Sequence, residues 1–142
     1  MEAKFSFESL RLLESHFKLN TDFKPKRKQP IEISTEINIS HKEHNKTVKV
    51  TISVISVNKK QPFILDTTVM GTFNFPKIPT KNDLDKIVHV NCAAIMFPYV
   101  REIIADLTMR AGIPPFHMDP INFVALYEDH QAHLRNKRKT KT

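Results

Sequence analysis

Residues 31–57, IEISTEINISHKEHNKTVKVTISVISV, decide the fold class because apolar side chains alternate on both sides of a polar centre. In the first half, the side chains that share one face of the predicted strand are those of Ile31, Ile33, Thr35, Ile37 and Ile39. The second half places another at Val48, Val50, Ile52, Val54 and Val57, with a slip near Ile55. A period of two is typical of half-buried strands. We therefore predict a hairpin with its turn in HKEHN, residues 41–45.

The segments on either side extend this sheet. NKKQP at 58–62 predicts a second turn, and FILDTTVMGTFNF at 63–75 predicts the next strand, so the short connections favour an antiparallel meander. The N-terminal FSFESLRLLESHFKLN, residues 5–20, stays ambiguous. Its apolar residues fit either a helical stripe or a strand interrupted by bulges, and periodicity alone does not decide.

Beyond residue 80 the pattern becomes helical. Thr80 or Asn82 is a suitable N-cap. Because proline breaks the hydrogen-bond ladder, we predict a short helix to about Asn91 and a longer helix from near Pro98. Gly112 should end that helix as its C′ residue. The apolar stripe of this helix, assigned to core or subunit packing, is Val100, Ile103, Ile104 and Leu107.

A further helix is predicted to open at Asp119, with Pro120 in its first position, and to run to about Leu134. Strands followed by helices give an α+β fold, a four-stranded antiparallel sheet if the N-terminal segment is a strand, with the helices on one face. The connection RAGIPPFHMDPINF, residues 110–123, is unusual because it combines prolines with apolar residues. Those apolar side chains either face an open groove or fill the space between helix and sheet.

The formal charge of +7 is concentrated at two places, KPKRK at 24–28 and the C-terminal RNKRKTKT at 135–142. Together they hold nine cations, so the rest of the chain is slightly acidic. We therefore predict one domain over residues 1–134 and a basic, disordered tail at 135–142. Nucleic-acid binding through these segments is a more distant alternative, because such domains usually spread cations over a folded face.

Several classes of function find little support in the sequence. One cysteine, Cys92, excludes an internal disulfide and suits a reducing, cytoplasmic location. We expect neither a signal peptide nor insertion into a membrane. Two glycines leave no phosphate-binding loop. The pairs His89–Cys92 and His130–His133 lack further ligands, so we predict no metal, no cofactor and no enzyme activity.

The segment from Asn91 to Tyr127, NCAAIMFPYVREIIADLTMRAGIPPFHMDPINFVALY, resembles the SecB family of export chaperones. The resemblance rests on FPYVRE, the helix end RAG, the proline-rich loop and PINFVAL, with GTFNF at 71–75 upstream. It implies that the N-terminal segment is a first strand and that two helices back the sheet. It also implies a homotetramer, built as a dimer of dimers, of ATP-independent holdases that bind unfolded polypeptides in apolar grooves.

The resemblance also implies sites. The predicted client-binding groove comprises Phe73, Phe75, Ile78, Ile113, Phe116 and Met118. A partner would dock on the sheet face at Ile64 and Asp66. Apart from the resemblance, the charge of the two basic segments predicts electrostatic contacts at Lys26, Arg27, Lys28 and Arg138.

The chain departs from export members in its charge. The resemblance implies acidic residues that recruit the basic tail of the translocase motor, yet this chain has His16 and Asn20 on the first strand and a basic C-terminus. Docking to that motor is therefore not expected. The charge favours a second branch of the family, chaperones that serve an aggregation-prone, acidic antitoxin of a toxin–antitoxin system. A general export chaperone is the alternative.

Overall fold

The computed structural model describes residues 4–25 and 31–140, with side chains as far as Arg138. In this part of the chain, four strands form one antiparallel sheet in the order β1-β4-β3-β2. The strands are β1 (Ser6–Leu19), β2 (Thr35–His44), β3 (Thr47–Ser56) and β4 (Phe63–Asn74). The predicted α+β class, with an antiparallel sheet and helices packed on it, is confirmed.

The strands β2, β3 and β4 form the predicted meander. Asn45 and Lys46 make the turn between the paired residues His44 and Thr47. Asn45 has a φ of 57°, in the left-handed region that asparagine tolerates better than most residues. The predicted turn at 41–45 therefore began too early, because β2 continues to His44.

β1 pairs with β4 rather than with β2, so it joins the four-stranded sheet from outside the meander of β2, β3 and β4. The long connection between Leu19 and Thr35 allows this, because it has to cross only three strand spacings of about 4.8 Å each. The register of β1 shifts between Phe7 and Ser9 and again between Leu12 and Glu14. The ambiguous N-terminal segment is therefore a bulged strand, as the family resemblance implied.

The helical layer begins with one continuous segment, made of α1 (Lys81–Ile87), a π-turn (Val88–Cys92) and α2 (Ala93–Arg110). The predicted break before Pro98 is wrong. A proline inside a helix costs roughly 3 kcal/mol. Burial of Met96, Phe97 and Val100 around it contributes about 1.5–3 kcal/mol each, which offsets that cost.

The π-turn keeps a single face of this long segment against the sheet. Seven of its buried side chains form a series at every fourth position: Leu84, Val88, Cys92, Met96, Val100, Ile104 and Thr108. In a straight α-helix of about 3.6 residues per turn such a series rotates away from the sheet. The π-turn, in which the Ala93 N–H bonds the Val88 carbonyl, holds more residues per turn and partly cancels this rotation.

By length and composition, residues 81–110 would also suffice to cross a membrane, which our sequence analysis did not anticipate. In this fold the segment lies on the sheet as a core helix. It contacts a continuous apolar surface from β3 and β4, made of Val48, Val50, Ile52, Val54, Phe63, Leu65, Val69 and Phe73. The alternation of the strands thus supplies one wall of the core and the helix the other.

α3 (Phe123–Thr140) completes the layer. Our prediction placed its start at Asp119, but the helix is capped by Asn122, whose Oδ1 accepts the Ala125 N–H at 3.1 Å. The helix also continues through Thr140, although we predicted a domain end at 134 and a disordered tail. Lysine and arginine are good helix formers and favour the negative end of the helix dipole, which explains the extension. Residues 141–142 lie outside the described part.

Candidate client-binding surfaces

The loop between α2 and α3 is held to α2 by one buried hydroxyl. Thr108 Oγ1 accepts a hydrogen bond from the Phe116 backbone N–H at 2.8 Å. The same hydroxyl lies 2.9 Å from the Ala105 carbonyl and 3.1 Å from the Ile104 carbonyl, which are its acceptors. Gly112, with a φ of 79°, turns the chain out of α2 as predicted. The prolines and this anchor together fix where the loop lies.

Half of the six predicted groove residues are buried, and the other three are half-buried. Phe73, Phe75 and Met118 are buried in the core, so in this conformation they do not face a surface. The others, Ile78, Ile113 and Phe116, are half-buried against that core. Phe116, for example, lies 5.9 Å from the Phe63 ring, centroid to centroid. The physical reason is that the space between sheet and helices must be filled, and these side chains fill it.

An open groove of about 720 Å³ lies beside the same loop, between α2 and β1. We call it the α2 groove. Its lining is mainly apolar and includes Leu10, Pro98, Tyr99, Met109, Pro115 and His117. Tyr99 is 46% exposed and Met109 is 55% exposed. Arg101, Glu102 and Asp106 add charges of both signs to the lining.

The loop contributes Pro115 and His117 to the α2 groove, but most of the groove's lining was not among the residues predicted from the sequence. A signal was present in α2. Ile95, Tyr99 and Met109 recur at helical spacing on the side opposite the buried series, and all three are exposed. A second apolar stripe on a core helix indicates a further contact surface.

A smaller cleft of about 110 Å³ separates β2 from α3 and includes Ile37, Ile39 and Leu126 in its lining. At its polar end the Tyr127 hydroxyl donates to Asp85 Oδ2 at 3.1 Å. Burial, followed by the charge and hydrogen bond of Asp85, raises the pKa of Tyr127. The cleft therefore combines apolar walls with a polar contact that ties α3 to α1.

The histidines group differently from the pairs considered in the sequence. One ligand atom each from His41, Asp85 and His89 lies within 4.8 Å of the other two, and all three residues are half-buried. His130 stacks beside His89 with ring centroids 6.3 Å apart. Cys92 does not join this group, because it is buried in the core, and burial raises the pKa of its thiol to about 12.

The predicted docking residues lie on the outer face of the sheet. Ile64 and Asp66 border a shallow depression of about 370 Å³ together with His16 and Lys18 of β1. His16 pairs with Glu14 at 2.7 Å, and this hydrogen bond raises the pKa of His16. Of the predicted electrostatic contacts, Arg138 is exposed on α3, while Lys26, Arg27 and Lys28 lie outside the described residues.

Comparisons with known proteins agree with this architecture. The family model described as preprotein translocase subunit SecB matches residues 4–134. Curated relatives include protein-export protein SecB of Burkholderia multivorans (strain ATCC 17616 / 249), 42% identical over 82 residues, which are 58% of this chain and 51% of the relative. The corresponding protein of Burkholderia vietnamiensis (strain G4 / LMG 22486) is 42% identical over 81 residues, 57% of this chain and 50% of the relative. The chain thus spans about half the length of the curated relatives it matches.

Solved structures that share the fold include two bacterial proteins. One is the Mycobacterium tuberculosis Rv1957 SecB-like chaperone in complex with a ChAD peptide from the Rv1956 HigA1 antitoxin. It has a TM-score of 0.70 and 21% identity, over 82% of this chain and 90% of that chain. The other is a protein of unknown function from Streptococcus agalactiae, with a TM-score of 0.53 and 11% identity, over 84% of this chain and 100% of that chain. At these identities the likeness concerns the fold alone.

Proposed function

Because this chain belongs to the SecB family, we propose that it is an ATP-independent holdase chaperone that binds unfolded polypeptide through the α2 groove. The observation that carries the proposal is the groove itself, a large, open and mainly apolar surface bordered by a proline-stiffened loop. Exposed apolar patches of this kind usually mark binding sites. The proposed location is cytoplasmic, where unfolded chains are available before export or folding.

The groove suits a variable client for two physical reasons. Met109 is flexible and polarisable, so it adapts to different side chains. Pro115 is part of a rigid wall, so the loop loses little conformational entropy when a client binds. The Thr108–Phe116 hydrogen bond holds the loop on α2, and in this proposal it keeps the apolar groove open.

The proposal includes neither catalysis nor a cofactor. Cys92 would be the natural nucleophile, but a buried thiol whose pKa is raised to about 12 is protonated and unreactive at neutral pH. Binding and release of an unfolded chain need only apolar contacts and exchange with solvent.

We further propose a homotetramer, a dimer of dimers, in which the β1 edge contributes to assembly. Leu12 and Leu13 are 51% and 53% exposed on this edge strand. Edge strands with apolar side chains pair readily with a second chain. Multi-angle light scattering should give the mass of four chains. L12E/L13E should reduce it if β1 lies in an interface, and an unchanged mass would remove β1 from the proposal.

The proposed client is a dedicated one, an acidic and aggregation-prone antitoxin. The charge supports this choice, because the basic C-terminal segment with Arg138 would attract an acidic chain and repel a basic one. Lys26, Arg27 and Lys28 would act in the same way. The fold shared with the mycobacterial SecB-like chaperone, which is bound to an antitoxin peptide, is a second support.

General export chaperoning is the second candidate, and the 42% identity to proteins named protein-export protein SecB favours it. In that case a translocase partner would dock at Ile64 and Asp66. The charge at this depression is mixed, because His16 and Lys18 lie beside Asp66, and a basic partner would therefore be attracted less than by a purely acidic surface.

Calorimetric titration with a permanently unfolded polypeptide, without nucleotide, tests the holdase proposal. We expect binding by the wild-type chain and at least a tenfold weaker affinity for Y99S/M109S, since each loses roughly 1–2 kcal/mol of apolar contact. V124S is the matched control, because Val124 is 46% exposed on α3 and lies outside the groove. An equal loss of client affinity in Y99S/M109S and in V124S would contradict binding through the α2 groove. Light scattering would show whether Y99S/M109S had altered the assembly of the protein instead.

Co-expression decides between the two client classes. A dedicated chaperone should raise the soluble yield of an antitoxin encoded beside it and should fail to replace an export chaperone in a deletion strain. If the protein fully replaces the export chaperone in the deletion strain and leaves the soluble yield of the antitoxin unchanged, the general export function is favoured. If the generic unfolded polypeptide does not bind but the antitoxin does, the holdase is confined to one client.

A further inference from the structure

We propose that His41, Asp85 and His89 form a binding site for a divalent transition-metal ion, best suited to Zn²⁺. The three residues come from β2, α1 and the π-turn, so only the folded chain brings them together. One ligand atom from each lies within 4.8 Å of the other two. Small side-chain rotations would close that spacing around an ion with bonds of about 2.0–2.2 Å.

The imidazole of His89 already makes the kind of hydrogen bond that metal-binding histidines commonly make. Its Nδ1 lies 2.8 Å from the backbone carbonyl oxygen of Asp85, so Nδ1 carries the proton and donates it to that oxygen. The lone pair therefore resides on Nε2. Histidines that bind metals commonly donate their other ring nitrogen to a carbonyl or carboxylate, which fixes the ring and makes it a better ligand.

The carboxylate of Asp85 is also held in place by a neighbour. Its Oδ2 accepts the Tyr127 hydroxyl at 3.1 Å, while Oδ1 lies 3.4 Å from His89 Nδ1. Asp85 can thus offer Oδ1 to an ion and keep its bond to Tyr127. The contacts around the three residues thus reach α3, through Tyr127 and through His130, whose ring stacks beside that of His89.

Two imidazoles and one carboxylate select the metal by ligand type. Calcium and magnesium prefer all-oxygen sites, whereas zinc accepts nitrogen and oxygen together. Three protein ligands leave a fourth position for water or for His130. The π-turn is relevant because single π-turns in helices frequently occur at functional sites, and here it carries His89.

The expected consequence is mechanical. An ion bound here would join the edge strand β2 to the helical layer and, through Asp85 and Tyr127, would stabilise the docking of α3. The β2–α3 cleft, lined by Ile37, Ile39 and Leu126, adjoins the site at His89. Metal binding would thus hold this cleft in its present width.

Titration of the metal-stripped full chain with Co²⁺, followed by competition with Zn²⁺, tests the site. We expect one ion per protomer, with the intense visible bands of tetrahedral Co²⁺ bleached by Zn²⁺. H41Q and H89Q should each weaken binding by at least about tenfold. H16Q and H133Q, which remove histidines outside the group, should bind as the wild type does.

Thermal unfolding provides the second readout. Zn²⁺ should raise the melting temperature of the wild type and of H133Q, because it binds only the folded state, and should leave H41Q and H89Q unchanged. Melting of each variant without metal shows that it folds. Absence of Co²⁺ bands in the wild type, or equal binding by H89Q and H133Q, would overturn the proposal.

Discussion

The hydroxyl of Tyr127 on α3 donates a hydrogen bond to Asp85 Oδ2 on α1, at 3.1 Å across the helical layer. Phe123 is the buried apolar anchor of the same helix, with its ring 5.5 Å from that of Phe97. Most of the other described side chains of α3 are exposed. Few buried contacts mean a low free energy of local opening, so α3 is the element whose docking depends most on single side chains.

Y127F should loosen α3 without disturbing the sheet. The substitution removes a hydrogen bond from the acceptor Asp85, and the expected loss is about 0.5–1.5 kcal/mol. Hydrogen exchange should show faster exchange of the α3 amides, while those of β3 and β4 keep their rates. Y99F, which alters an exposed tyrosine of α2, serves as the control. Equal exchange of α3 in Y127F and the wild type would refute the anchoring role.

The loop beside the α2 groove should depend on the Thr108 hydroxyl. T108V keeps the shape of the side chain but leaves the Phe116 N–H without its acceptor, at an expected cost of about 1–3 kcal/mol. T108S keeps the hydroxyl and should retain most of the stability. Denaturant unfolding gives the free energies, and exchange of the Phe116 amide reports on the loop. If T108V and T108S prove equally stable, the hydroxyl does not anchor the loop.

Gly71 of β4 lies where the Met96 side chain of α2 packs tightly against the sheet. A Cβ built at this position would lie 2.8 Å from Met96 Sδ and 3.0 Å from Phe73 Cε2. We therefore expect G71A to destabilise the protein by about 1–3 kcal/mol through overpacking.

A double-mutant cycle isolates that contact. In the M96A background, where space has been opened, G71A should cost less than in the wild type. Equal costs in the two backgrounds would place the strain elsewhere. G112A supplies a contrasting case, because its penalty comes from the positive φ of 79° with no neighbour within 4 Å.

Alkaline pH should destabilise the fold partly through Cys92. Burial raises the pKa of its thiol from 9.0 to about 12. Since the pKa is higher in the folded state, the stabilisation is complete below pH 9 and is lost as the pH rises toward 12. Denaturant unfolding between pH 8 and pH 10.5 should give a shallower decline for C92A than for the wild type. If the free energy of unfolding falls equally with pH in C92A and in the wild type, the Cys92 thiol does not cause the alkaline destabilisation.

Local patterns predicted much of the fold because they are set by neighbours in the chain. The alternation of Val50, Ile52 and Val54 made β3 a strand, and Gly112 ended α2 through its positive φ. The bulged β1 could not be assigned from periodicity, because bulges shift the phase of the alternation. The break expected at Pro98 failed for a related reason, since the gain from tertiary packing exceeds the local cost of proline.

The sequence by itself determined the fold class, the strands β2 to β4, the end of α2 and the presence of a stiff apolar loop. Only the tertiary structure decided which apolar side chains are covered. Phe73 and Met118 are buried, whereas Tyr99 and Met109 face the groove. It also decided that His41 lies beside Asp85 and His89. The physical reason is that hydrophobic pattern is a local property, while burial and side-chain proximity depend on segments that are distant in the chain and meet only when it folds.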